Sequence, residues 1–389
     1  MQVRKLKADK IFDGYKLHTG KVLLVNEDGS IENIIDEKIA GDEIEKFEGI
    51  LSPGFINCHC HLELSHLKGL IPEKTGLVDF VFKVVNERHF PESEILSAIE
   101  KAENDMIKNG IVAVGDICNN TLTLPQKRKE QLYYYNFIEA SGWLPSIANS
   151  RLDRAKQIFE SYSNQKLQTK KGLQSIVPHA PYSVSQFLWQ NIKPFFENRV
   201  VSIHNQETVF EDIFFKEGKG DFERMYELMK IDNSHFIPTG KSSVASYFQN
   251  LSRASKIILV HNTFTTQSDI DFIKKEQIKK DQTFFCLCVN ANKYIEDSLP
   301  PVELFRKNQL QIVLGTDSLA SNWSLNILDE IKTARNFFPT IGLEEMLQWA
   351  TSNGAKALEM DDLLGSFEKG KKPGIILVNE ETLATQRLV

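Results

Sequence analysis

Long apolar runs are missing from this chain of 389 residues. None approaches the roughly 20 residues that a membrane-spanning helix needs, so no membrane partner is expected. Cysteine is scarce. Five residues, an odd number without the spacing of a disulfide scaffold, point to reduced thiols in a cytoplasm. Residues 1–7 are charged and lack the apolar centre of a secretory signal, which agrees with that compartment. Positive charge is not in excess either. A net charge of −6 and a pI near 5.9 argue against a surface built for nucleic acid. No internal repeat or low-complexity segment interrupts the chain. What remains, 41% hydrophobic and 25% charged residues, is the composition of a globular protein.

The apolar residues come in short runs. Residues 21–25 and 31–35 flank a polar turn at Glu27-Asp28-Gly29-Ser30, which predicts a β-hairpin. A further strand is predicted over 374–378. Both ends are expected to pair in a small β domain made of residues 1–50 and 365–389. Between them, runs over 111–117, 133–138, 173–177, 200–203, 257–260, 283–289 and 311–314 read as buried strands. Amphipathic stretches such as 92–108, 183–196 and 325–337 separate most of them. Helix starts carry capping signatures at Ser183-Val184-Ser185-Gln186 and Thr266-Gln267-Ser268-Asp269. With the run that ends at His61, about eight strand–helix units result. That count predicts an α/β fold, a (β/α)8 TIM-like barrel over residues 51–364 with a small β-sandwich at its side. A doubly wound open sheet is the structural competitor.

Polar residues suited to a metal site stand at the ends of these runs: His59 and His61, His179, His204 with Glu207, His261, and Asp317. Active sites of such barrels lie at the C-terminal ends of the strands. His59 and His61, two apart on a strand, share a face and can both bind one ion, while Cys58 and Cys60 pack away from it. Glu207 stands where the chain turns away after His204, as suits general acid–base work; the bland alternative is that it opens the next helix. His261 can ligate or hold the attacking water. Asp317 can bind a metal and accept a proton, or merely cap the following helix. His179 lies between prolines and is a turn histidine or a functional one. His18, His66, His89 and His235 are taken as surface or packing residues. Residues 210–241 form a long connection rich in Phe and charge, either a cover over the site or packing on the rim.

Two chemistries lack their required residues. His61-Leu62-Glu63 carries the H-x-E of the cytidine deaminase fold, but no Pro-Cys-x-x-Cys follows. Residues 365–371 match most of a phosphate-binding loop, but Lys372 stands in place of Ser or Thr and a strand pattern follows.

Taken together, Pro53-Gly54-Phe55-Ile56-Asn57-Cys58-His59-Cys60-His61, Pro178-His179-Ala180-Pro181, His204-Asn205-Gln206-Glu207, Val260-His261-Asn262 and Leu314-Gly315-Thr316-Asp317-Ser318 resemble the amidohydrolase superfamily. The likeness is to its mononuclear deaminase and chlorohydrolase-like branch and covers nearly the whole chain. It implies one divalent ion, zinc before iron, on His59, His61, His204 and Asp317, with Glu207 shuttling a proton, His261 orienting the water and His179 touching substrate. His61-Leu62-Glu63-Leu64-Ser65 and Asn290-Ala291-Asn292-Lys293-Tyr294-Ile295-Glu296 look most like aminodeoxyfutalosine deaminases of menaquinone biosynthesis, which places Glu63 against substrate. Cys288-Val289 departs from the usual Cys-Pro of that group. The implied reaction is hydrolytic deamination of a small aminopurine-type molecule. Alternatives are S-adenosylhomocysteine, methylthioadenosine, adenosine or guanine deamination, aryl chlorohydrolysis, or an inactive scaffold. A futalosine-type substrate carries a benzoate, for which Arg88 or Lys68 could supply the cation. A homodimer is left open.

Overall fold

The computed structural model describes residues 3–164, 173–279 and 281–389; Met1 and Gln2 of the charged N-terminal segment lie outside the described residues. Eight parallel strands form the centre: β1 (Phe55–Cys60), β2 (Ile111–Cys118), β3 (Tyr133–Ala140), β4 (Leu173–Pro178), β5 (Val200–Asn205), β6 (Lys256–His261), β7 (Thr283–Leu287) and β8 (Gln311–Leu314). They pair in chain order within β1–β4 and within β5–β8. Two seams join these halves. Across one, the His204 N–H donates to the His179 carbonyl at 3.0 Å. Across the other, Cys60 bridges Asp317 in parallel, and the Thr316 N–H donates to the His59 carbonyl at 3.0 Å. The sheet is therefore closed, and the open-sheet alternative falls.

Every residue of β1, β2, β5 and β7 is buried, as a parallel sheet covered on both faces demands. The covering helices follow from their apolar spacing. Glu92–Lys108 buries Ile95, Ile99, Ala102 and Met106 on one stripe. It ends at Gly110, whose φ of +80° turns the chain straight into β2. Thr266 caps Gln267–Glu276 with the expected reciprocal bond to Asp269. The other capping expectation is shifted. Ser185 rather than Ser183 caps Gln186–Ile192, because the Ser183 hydroxyl is taken by His179 Nδ1 at 2.7 Å. The run over 283–289 also ends early. β7 stops at Leu287 and Val289–Glu296 is helical, its Asn290 N–H anchored on the buried Glu330 carboxyl at 2.9 Å.

The chain ends build two further sheets. Lys21–Val25 and Ile31–Asp36 form the hairpin, in a sheet with Arg4–Lys7 and Ile44–Lys46. The second sheet joins Ile50–Pro53 to Ile375–Val378, with Lys10–Phe12, Leu17–His18 and Thr385–Arg387. Leu6, Leu23, Val25 and Ile31 of one sheet and Ile11, Leu51 and Ile375 of the other share one buried apolar cluster, which makes the pair a small β-sandwich. Ile50–Pro53 runs into β1 through Gly54. A Cβ there would lie 2.3 Å from Val112 Cγ1, so glycine is required by the close approach.

Candidate metal centre and substrate cavity

β1 does not pair evenly with β2. Asn57 stands opposite Val114 and Cys60 opposite Asp116, so one extra residue is accommodated in a β-bulge around Cys58 and His59. The bulge re-aims the strand end, and both imidazoles converge, with His59 Nε2 and His61 Nε2 3.2 Å apart. His204 Nε2 lies 3.3 Å from His61 Nε2. Asp317 Oδ1 lies 3.4 Å from His61 Nε2 and 3.5 Å from His59 Nε2. For ligands at zinc-like distances around a tetrahedral ion, the expected separation is about 3.4 Å. Bare imidazole nitrogens at such distances would have to share a proton or face lone pair to lone pair.

The charges point the same way. Burial lowers the pKa of His59, His61 and His204, which keeps them neutral. Burial alone would raise the Asp317 carboxyl, but His59, His61 and His261 outweigh it and hold the group well below its ordinary range. An ionised carboxylate among neutral imidazoles leaves negative charge in a nearly dry site, and a cation offsets it. His204 Nδ1 lies 2.8 Å from the His179 carbonyl, an assignment that leaves its Nε2 lone pair facing the centre. The second Asp317 oxygen accepts from Ser321 Oγ at 2.5 Å. His261 and Asp317 sit at φ of +72° and +56°, left-handed backbone of the kind stored at functional sites. The donor set fits a divalent ion.

His261 is the fifth group. It also forms a set with His59, His204 and Asp317 whose ligand atoms lie within 4.8 Å of one another. The shorter separations favour His61 as the fourth ligand. His261 Nδ1 meets Asn292 Oδ1 at 2.8 Å, and its buried Nε2, without a hydrogen-bond partner, faces Glu207 Oε1 at 3.6 Å. Burial, Asp317 and Glu296 push the Glu207 carboxyl well above the usual carboxylate range. The next helix, Phe210–Glu217, is capped at Val209, so Glu207 does not open it. The buried Glu211 carboxyl instead accepts the N–H groups of Gln206 at 3.0 Å and Glu207 at 3.4 Å, fixing the turn that aims Glu207 inward. Nor does Asp317 cap a helix; Asn326 caps Ile327–Phe337.

A cavity of about 740 Å³ opens above this centre, and His61, Glu63, His179, His204, Glu207, His261 and Asp317 all line it. Glu63 Oε2 accepts the Asn119 N–H at 3.0 Å, and burial, with the charges of Asp116 and Glu139, pushes its carboxyl up to about 8. Residues that sequence reasoning passed over complete the walls. Glu139 ends β3 as plainly as His204 ends β5, yet one acid beside an apolar run gave no pattern to notice. Arg151 and Arg154 reach the outer wall from an exposed helical face, which has no motif at all. Arg88 also lines the outer part, whereas Lys68 is exposed and absent from the lining. Phe210–Glu217 and Phe222–Leu228 pack Phe214, Phe222 and Tyr226 with Trp143 and Tyr182, while Met225, Tyr226 and Leu228 border the cavity. Residues 210–241 thus supply both rim packing and cavity wall. No helix among the described residues is long and apolar enough to cross a membrane.

Known proteins share this fold. The amidohydrolase family matches residues 50–387. Adenosine deaminase of Helicobacter pylori is 27% identical over 328 residues, which covers 83% of this chain and 77% of that protein. The 5′-deoxyadenosine deaminase of Methanococcus vannielii is 25% identical over 382 residues, 90% of this chain and 80% of the relative. The crystal structure of H. pylori aminofutalosine deaminase with methylthio-coformycin superposes with a TM-score of 0.78 at 23% identity, covering 97% of this chain and 92% of that one, and shows the same fold. The chain belongs to the amidohydrolase family, as a metal-dependent hydrolase of carbon–nitrogen bonds.

Proposed function

We propose that this protein is a mononuclear, metal-dependent deaminase of an adenine-type nucleoside, and that 6-amino-6-deoxyfutalosine of menaquinone biosynthesis is its substrate. Adenosine-type deamination is supported by the relatives' activities. His59, His61, His204 and Asp317 would hold the ion, and three nitrogens with one oxygen at these separations suit zinc before iron. When bound, the ion supplies a Lewis acid that lowers the pKa of water toward about 7.

This chain's own groups do the rest. The ionised Asp317 accepts the proton of the attacking water, and His261 Nε2 orients that water toward the amine-bearing carbon. Glu207, whose protonated form burial favours, donates to the ring nitrogen as the carbon becomes tetrahedral. It then takes the proton of the new hydroxyl as the carbonyl forms, passes it to the amine leaving as ammonia, and is reloaded with the proton that Asp317 took from water. His179 is offered to the ring through Nε2, its Nδ1 being held by Ser183. Glu63 faces the sugar. We further infer an accessory β domain of residues 1–50 with 365–389 beside the barrel of 51–364, and a reducing compartment, in which its five free, buried thiols would persist.

One observation carries the substrate choice. The cavity is acidic at its floor and lined by Arg88, Arg151 and Arg154 farther out, with a volume suited to a ligand larger than a bare base. A nucleoside whose 5′ side ends in a carboxylate matches both ends. Steady-state assays with 6-amino-6-deoxyfutalosine, adenosine, 5′-deoxyadenosine, S-adenosylhomocysteine and a chlorotriazine test this. The expected result is ammonia release with the highest kcat/KM for the carboxylate-bearing futalosine. A higher value for adenosine, or chloride release from the triazine, overturns it.

A further inference from the structure

Beneath the site lies a buried ion pair that the mechanism does not use. The Lys127 ammonium and the Asp116 carboxylate are both buried, with Nζ and Oδ2 2.5 Å apart. Lys127 also donates to Asn136 Oδ1 at 2.7 Å and lies over the rings of Tyr134 and Tyr162 at 4.8 and 5.0 Å. Removing two charges from water costs several kcal/mol per ion, and an apolar pair of the same shape is often as stable. Stability alone is thus a weak reason for the pair to be there.

Its other contact shows a use. Asp116 Oδ1 accepts the N–H of Leu62 at 2.9 Å. Leu62 follows His61 directly, at the point where β1 leaves the sheet for the short helical turn Leu62–Leu67 that carries Glu63. The bulge has ended regular pairing with β2 at Cys60 opposite Asp116, so the carboxylate stands in for the next rung of the ladder. One side chain thereby ties the backbone between His61 and Glu63 to β2. Lys127 holds that carboxylate in place.

We propose that Asp116 is a positioning residue, held by Lys127, which sets His61 for the metal and Glu63 for the substrate. The inference rests on the metal-site reading above. It is tested with two double variants of the full chain, Asp116→Asn with Lys127→Met, and Asp116→Leu with Lys127→Met. Both remove the ion pair, but only the first keeps an oxygen for the Leu62 N–H. Zinc release to a chelator, urea midpoint, kcat and KM are read for each. The Asn/Met protein should release zinc within about threefold of the unmodified rate. The Leu/Met protein should release it about 10- to 100-fold faster, the range for groups that orient ligands, and show a raised KM at an unreduced urea midpoint. Equal zinc release and KM in the Leu/Met protein overturn the proposal. So do equal losses in both variants, or failure of both to fold, which would assign the pair to packing alone. An unmodified protein that binds no zinc would instead end the metal-site reading itself.

Discussion

The two ends of the cavity are built on different principles. At the floor, side chains stand on or just after β1, β4, β5, β6 and β8, strands locked into a closed sheet, and His179, His204, His261 and Asp317 each have a partner that orients them. Farther out, Met225, Tyr226 and Leu228 come from the helix Phe222–Leu228 and Arg151 and Arg154 from the helix Ala148–Ser163, on which the arginines are exposed. The contrast is that of chemistry and choice. A reaction needs atoms held to fractions of an ångström, which a rigid sheet supplies. Selection among substrates needs shape and charge that can change without disturbing the chemistry, which elements outside the sheet supply.

If the floor is the reacting end, the largest effects belong there. Changing His61 or His204 to Ala should weaken zinc binding by more than about 100-fold, beyond the loss expected for an outer partner, and activity should fall with metal content. Metal analysis after dialysis checks this, and full retention of zinc would remove that residue from the ligand set. Next in size, Glu207→Gln should keep its metal and lose about 10²- to 10⁴-fold in kcat, the usual worth of a positioned acid–base group. Near-full turnover in that variant would take the proton shuttle away from the floor.

The outer wall should respond differently. Replacing Arg151 and Arg154 together by Gln should reduce kcat/KM about tenfold for the carboxylate-bearing substrate, through KM, and leave adenosine unaffected. An equal loss on both substrates would erase the distinction between the two ends.

A different readout, stability rather than activity, concerns the support behind the floor. Burial, the largest cause, pushes Glu330 up to about 8. Its folded pKa therefore exceeds its unfolded value near 4.5. The folded state holds a proton that the unfolded state has lost between these pH values, so the associated stability is present at low pH and declines as pH rises toward about 8. Glu330→Gln should flatten the fall of unfolding free energy across that window by about 1.4 kcal/mol per pH unit. Denaturation curves from pH 5 to 8 would reveal an unchanged slope if the carboxyl is already ionised.

Legibility followed the same division. The barrel could be read because eight apolar runs with turn signals between them leave few other closed solutions, and the helix over Glu92–Lys108 because its apolar spacing is regular. That His59, His61, His204 and Asp317 meet at one end of the barrel could be read because imidazoles and an acid rarely close so many strands without a shared task. The cap at Ser185 could not, since Ser183 carries the same local signal and only the position of His179 takes its hydroxyl away. The β-bulge in β1 was equally hidden, because it depends on which residue of β2 lies opposite. Glu139, Asp116 and the outer arginines gave no warning, being single polar residues whose neighbours in space are far away in the chain.

Periodicity and strand-end chemistry, both local, were enough to specify the barrel and the identity of the groups at its mouth. Which nitrogen faces which, where burial moves a carboxyl's pKa, and what walls stand beyond the reacting groups were decided only when the sheet closed. The physical reason is range. Backbone preference acts between neighbours in sequence, whereas desolvation and Coulomb forces act between neighbours in space.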